Sequence, residues 1–290
     1  MDKRKEISRR NSLGKIGLAG AAATLGSAGT AGADGAYSGK STAFALVGDR
    51  YHNSDYIRTA LGKTLVKEAG LSIDFTDEVT LLSAETLRNY RMLIVFRDGM
   101  LWPDGYGPHG SYPGLGQNTP EIRSEPPLPD MEAKSAMWLT AEQGLAVKEF
   151  VKSGGSAFFF HNNSHVSLAS DDYRDVEGAI YTGHPPIRPF RVRIVNHDHP
   201  ITRGVNDFLV VDEQHYVTYD KDPKYVLMRS ENADNLPYGD QGTSCEAGWA
   251  YDYGEGRVCF MAPGHMVSAM WNPEYVKLQK NAVRWLLRKS

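Results

Sequence analysis

The stretch STAFALVGDRYHNSDYIRTALGKTLVKEAGLSIDF, residues 41–75, decides the fold. It opens with Thr42-Ala43-Phe44-Ala45-Leu46-Val47, a continuous apolar run that stops at Gly48-Asp49. A strand covered on both faces reads this way, because neither face meets water. Ser54 then caps a helical stretch through Ala69, in which Ile57, Leu61, Leu65 and Val66 recur at helical spacing and Gly70 supplies the stop. Leu71 to Phe75 reads as a second strand.

Working outward, a short polar segment from Ser83 to Asn89 leads into Met92-Leu93-Ile94-Val95-Phe96, again apolar throughout. The order βαβαβ predicts a mostly parallel α/β sheet with helices on both faces. Thr140 caps a further helix containing Leu145, Val147, Phe150 and Val151, and Ala157-Phe158-Phe159-Phe160 is the strand after it, ending at His161. Phe190-Arg191-Val192-Arg193-Ile194-Val195 alternates apolar with basic, the pattern of a half-exposed strand near a sheet edge. Val226 to Met228, the segment around Trp249 and the run Arg257 to Ala262 add strands, and Asn272 or Pro273 starts a terminal helix reaching Leu287.

Two segments stand apart. Residues 1–33 are basic, then apolar and Ala/Gly-rich, then small, with Ser8-Arg9-Arg10 and Ala31-Gly32-Ala33 in the places a twin-arginine leader and its cleavage site require. The expectation is a protein exported by the twin-arginine route to the periplasm or beyond, with one domain at 34–290. The apolar part of the leader is too short and too weakly hydrophobic to span a bilayer. Residues 99–136 are rich in Gly, Pro and Tyr without a sustained period, which reads as a long insertion loop, either a lid or a surface insertion packing its aromatics.

Without the leader the net charge of −3 becomes −7, because six Lys/Arg and two Asp/Glu leave with it. Nucleic acid and anionic lipid need a basic face, so neither is an expected partner. Cys245 and Cys259 are the only cysteines, too few for a disulfide framework or a cysteine zinc cluster. The Gly254-Glu255-Gly256 turn brings Cys259 closer to Ala250 than to Cys245, which favours two unpaired thiols over a bridge. No glycine-rich fingerprint for a nucleotide follows the first strand.

In open parallel sheets ligands bind beyond the carboxyl ends of the strands. The residues there are Asp49, Arg50, Tyr51 and His52, then Arg97 and Asp98, then His161, Asn162, Asn163 and His165, then Gly264-His265. The fold itself would gather His52, His161 and His265 above the sheet. His184, His197, His199 and the run Asp212-Glu213-Gln214-His215-Tyr216 add groups able to move protons or hold a metal. No His-Glu-x-x-His or Cys-x-x-Cys spacing is present, so a divalent metal is allowed by these residues without being indicated by a motif.

The runs GHPPIRPFRVRIVNHDHPITRGVNDFLVVDEQHY (183–216) and AGWAYDYGEGRVCFMAPGH (247–265), with GDRYH (48–52) and GGSAFFFH (154–161), resemble the trehalose-utilisation (ThuA-like) family. The resemblance implies a flavodoxin-like sheet of the class I glutamine amidotransferase type and a link to sugar catabolism. It carries His161, His184, Asp212, Glu213, Tyr216 and His265 into the site. Glutamine amidotransfer needs a cysteine at the turn occupied here by His161-Asn162-Asn163, so that activity is not expected.

The favoured expectation is therefore an enzyme acting on a sugar or keto-sugar by acid–base chemistry, through isomerisation or glycosidic cleavage. Glu213 and His161 are the expected proton-transfer pair, and His52, His184, Asp212, Tyr216, His265 and Trp249 the expected substrate contacts. His161 and His265 could instead hold a divalent metal. Two alternatives stay open: a non-catalytic carbohydrate-binding module using Trp102, Tyr106, Tyr112 and Trp249, and a metal-dependent hydrolase of another small molecule.

Overall fold

Nine strands hydrogen-bond into one sheet in a computed structural model of the chain, which describes residues 41–101, 126 and 136–289. They are β1 (Ala43–Val47), β2 (Ile73–Thr76), β3 (Met92–Phe96), β4 (Ser156–Phe160), β5 (Arg188–Ile194), β6 (Phe208–Asp212), β7 (Val226–Asn232), β8 (Ser244–Tyr253) and β9 (Gly256–Met261). The spatial order is β2-β1-β3-β4-β9-β8-β7-β5-β6. The first five are parallel, in flavodoxin-like succession. From β9 onward every pairing is antiparallel. The leader expected at 1–33, most of the loop expected at 99–136, and Trp102, Tyr106 and Tyr112 lie outside the described residues.

The parallel half is where the apolar runs sit. β1, β3 and β4 are buried at every position, because helices cover both faces of this half. Phe96 stacks on Phe160 at 5.5 Å, and Phe158 meets Phe160 at 4.2 Å. Each such ring contributes on the order of 1.5–3 kcal/mol by leaving water.

Helices flank the sheet as α1 (Ser54–Leu61), α2 (Ala84–Leu87), α3 (Ala141–Lys152), α4 (Asp171–Glu177), α5 (Val267–Met270) and α6 (Pro273–Leu286). The cap of α1 is Asn53, one residue before the expected Ser54; its side chain accepts from the Asp55 N–H. Beyond Leu61 the helix continues as π-type turns over Gly62–Glu68 and stops at Gly70, whose φ is +68°. Thr140 and Gln143 close a reciprocal capping box on α3, and Asn272 caps α6 with Pro273 in its first turn. The Gly254 turn sets Cys259 opposite Ala250, and both cysteines are buried and unpaired. Among the described residues no helix is long and apolar enough to cross a membrane.

The antiparallel half does one thing that matters for function. Counting from β9, β6 lies four strands away, roughly 19 Å in a flat sheet at about 4.8 Å per strand. Yet Asp212, the last residue of β6, accepts the Gly264 N–H just after β9 at 2.8 Å. The outer strands therefore curl back and deliver the end of β6 to the carboxyl ends of the parallel strands.

Candidate metal centre and active-site cleft

β1, β3, β4, β9 and β6 all run the same way, so the residues that follow them share one edge of the sheet. His52 follows β1, Asp98 follows β3, His161 follows β4, His265 follows β9, and Glu213 and His215 follow β6. His161 takes the left-handed conformation (φ +54°), which turns the chain sharply as it leaves β4. Gly264 packs against that turn so closely that a Cβ there would lie 2.5 Å from the His161 Cβ and 2.8 Å from the Phe96 ring. Only glycine fits.

Five imidazoles converge on a single carboxylate oxygen. Oε2 of Glu213 lies 3.1 Å from His265 Nδ1, 3.4 Å from His161 Nε2 and 3.4 Å from His215 Nε2. His52 Nε2 and His184 Nε2 are each 3.9 Å from it, and His52 Nε2 is 3.1 Å from His265 Nδ1. Metal–nitrogen bonds of about 2.0–2.1 Å put neighbouring donors roughly 3.0–3.4 Å apart around a tetrahedral or octahedral ion. The four shorter spacings, 3.1–3.4 Å, are of that size, and the two at 3.9 Å are longer.

Outer contacts fix which nitrogen faces inward. His161 Nδ1 donates to the Ala262 carbonyl at 2.7 Å, and His184 Nδ1 to the Pro185 carbonyl at 2.8 Å. In the neutral ring the inward Nε2 of each then carries a lone pair. Burial pushes His161 down to about 4 and His215 well below the ordinary histidine value, so both are neutral at physiological pH. Nε2 of His161 is buried without a hydrogen-bond partner. Nitrogen lone pairs facing a carboxylate oxygen out of water repel, unless a cation lies between them.

His52 is held by Asp49, whose Oδ1 is 2.9 Å from Nδ1. Asp49 also accepts the backbone N–H groups of Tyr51, His52 and Asp98 and the Asn162 amide. Burial alone would lower His52, but the Asp49 charge prevails and raises it to about 9. Nε2, where that proton sits, is also where a metal ion would bind, and Asp49 stabilises either positive charge. Such a carboxylate–histidine pair is the usual outer support of a metal ligand. Burial would raise Glu213, but inward N–H groups on the surrounding histidines would hold it far below the carboxylate range; where His161 and His184 turn a lone pair inward instead, a cation takes the place of those protons.

Asp212 anchors the far side. Fully buried, it accepts the N–H groups of Glu213, Gly264, His265 and Met266, which fixes two ligand-bearing turns to each other. Burial pushes it up to about 7 against those bonds.

The cluster forms the floor of a cleft of ≈ 820 Å³, whose lining includes Arg50, Tyr51, Asp98, His165, Tyr181 and Ile187. That volume suits a small-molecule ligand. Asp98 is pushed up to about 6 by burial and by the nearby Asp49 charge.

Several expected roles change with this geometry. Trp249 is fully buried, stacked on Phe260 at 4.1 Å with its Nε1 donating to the Glu177 carbonyl, so it has no face for a sugar. Tyr216 is buried with its hydroxyl on the Gly242 carbonyl, and Asp212 is spent on backbone N–H groups. His161 is fully buried beneath the cleft and cannot touch a substrate as half of a proton-transfer pair. His52, His184, Glu213 and His265 do line the cleft. The sequence placed Asp49 and His215 among the groups near the site without giving either a specific role; their positions just after β1 and β6 put them at the cluster.

No curated protein matches the chain. Solved structures share its fold: a ThuA-like protein from Bacteroides uniformis (16% identity, TM-score 0.56, covering 86% of this chain and 91% of that one). Another ThuA-like protein, from Parabacteroides merdae, gives 12% identity and TM-score 0.58 over 85% and 89% of the two chains. A cytoplasmic protein from Salmonella typhimurium gives 13% and 0.52 over 84% and 98%. The family model described as ThuA, trehalose utilisation, matches residues 131–286, more than half the chain and the part that supplies His161, His184, Glu213, His215 and His265. The chain belongs to the ThuA family.

Proposed function

We propose that the cleft is the active site of a metal-dependent enzyme acting on a sugar or keto-sugar. The observation that carries this reading is the convergence of five imidazole nitrogens on Glu213 Oε2 within 3.9 Å, with His161 and His184 fixed to present lone pairs. A divalent ion in that cage would polarise a carbonyl or hydroxyl oxygen of the substrate.

The protein's own groups supply the rest. Asp98 lines the cleft with a carboxyl pushed up to about 6, suited to taking a proton beside a carbonyl and returning it near neutral pH. Tyr51 and Tyr181 offer ring faces against which a pyranose can lie. Glu213 and His161 act as ligands in this reading, and proton transfer passes to Asp98. The family's trehalose-utilisation description and the cleft volume favour a mono- or disaccharide. The leader at 1–33 adds export of the folded protein, checked by N-terminal sequencing of the exported fraction.

The test is turnover. Protein purified without chelators is incubated with glucose, trehalose and their keto derivatives, before and after metal removal. Conversion that disappears on chelation, returns with added metal and falls at least about 100-fold in Asp98→Asn supports the reading. Binding of a keto-sugar without any turnover in metal-loaded protein would overturn it in favour of a carbohydrate-binding module.

A further inference from the structure

The six donors around Glu213 would match an octahedral ion in number, but they do not all lie close enough together to form one set. They fall into two sets, His52, His161, His265 and Glu213, and His184, His215 and Glu213, each with its atoms within 4.8 Å of one another. One ion with bonds of about 2.1 Å holds donors no more than roughly 4.2 Å apart. The sets share only the Glu213 carboxylate.

We propose that the cleft holds two divalent ions bridged by Glu213, one enclosed by His52, His161 and His265 and one held by His184 and His215 with a coordination position open to the cleft. This rests on the metal-dependent reading above and adds a second site to it. The first set brings four donors, enough to complete a tetrahedral ion, as in closed sites. The second brings three, which leaves room for a water or a substrate oxygen, as in open catalytic sites. His184 is the most exposed of the five histidines, with 32% of its side chain open. Its ring stacks on His215 at 5.0 Å and 10°, so the two nitrogens approach the same side of Glu213. Four carboxyl groups, Asp49, Asp98, Asp212 and Glu213, crowd this end of the sheet, and a second cation offsets their mutual repulsion.

The two positions assign different work. The enclosed ion fixes the turns after β1, β4 and β9 and makes the carboxylate bridge rigid. The open ion is the one a sugar oxygen reaches.

The experiment is a titration of metal-free full-length protein with Zn²⁺, followed by calorimetry and by metal analysis after desalting. Wild type is expected to take two equivalents and His184→Ala one, with the thermal stability of the metal-free forms unchanged. His265→Ala should weaken the first equivalent instead. In Mn²⁺-loaded wild type, ions about 3.5–4 Å apart should be spin-coupled in the electron paramagnetic resonance spectrum, a readout that needs no variant. One equivalent in wild type, or two in His184→Ala, would overturn the second site and leave a one-metal reading intact. Wild type that takes up no Zn²⁺ and no Mn²⁺ would overturn both readings.

Discussion

Glu177, at the end of α4, is fully buried; the Ser167 hydroxyl donates to its Oε2, and its Oε1 has no partner among the described residues. Burial pushes it up to about 8, so it keeps its proton at neutral pH. Glu213, only 13% exposed, faces five imidazoles and is held far below the carboxylate range. One buried acid thus avoids its charge and the other keeps it. The difference shows where a cation belongs: a proton neutralises the lone carboxyl of Glu177, whereas the Glu213 carboxylate sits among several nitrogen donors that a cation can satisfy together with it.

The contrast can be broken experimentally, and the largest effect is expected at the metal cluster. Ligand present at about 1,000 times its Kd stabilises a fold by roughly 4 kcal/mol, worth about 10 °C in a domain of this size. Wild type should therefore lose about 10 °C on chelation, and in His161→Ala that drop should shrink, because only the ion held by His184 and His215 is left to remove. A wild-type melting temperature indifferent to chelation contradicts the assignment.

The Glu177 side sharpens the comparison through pH. Its folded value of about 8 exceeds the ordinary 4.5, so the folded state binds the proton more tightly. Its contribution is fully present below about pH 4.5 and is lost as pH rises toward 8. At about 1.4 kcal/mol per unit, the whole window is worth on the order of 5 kcal/mol. Glu177→Gln should erase that dependence, so its stability advantage over wild type grows from pH 5 to pH 8.5 in denaturant melts. A constant gap would mean that Glu177 is charged in the fold.

Asp49→Asn should cost about 10–100-fold in metal affinity, the usual price of a lost outer-shell carboxylate. Competition with a coloured chelator measures it, and unchanged affinity would remove Asp49 from its supporting role. The smallest effect is expected at Trp249→Phe, which loses one hydrogen bond to the Glu177 carbonyl, about 1 kcal/mol. Metal content and any sugar-induced thermal shift should be unchanged; a lost sugar response would restore Trp249 to the binding site.

How much of this was legible in the sequence follows the same division. β1, β3 and β4 could be read because strands covered on both faces are apolar at every position. The strand-end histidines His52 and His161 followed from that alone, and His265 from the apolar run that ends at Ala262. β6 was hidden in a stretch dense with polar residues, although Phe208 and Val210 alternate with exposed Leu209 and Val211. Its end meets the other strand ends only because the antiparallel half curls, a long-range property with no local signal. His215 and the crossing bonds of Asp212 depend on that curl. Glu177 gave no sign either, since an acidic residue before Gly178 reads as an exposed helix end, yet Trp249 and Tyr251 cover it by bonding to the Glu177 and Val176 carbonyls.

The most direct test of the central claim is anomalous diffraction from crystals of protein purified without chelators, collected on either side of the absorption edge of whichever metal fluorescence identifies. At least one anomalous peak is expected about 2.0–2.1 Å from the inward nitrogens of the cluster. An anomalous map flat at Glu213, with a water in hydrogen-bond contact with His161 Nε2, would contradict the claim.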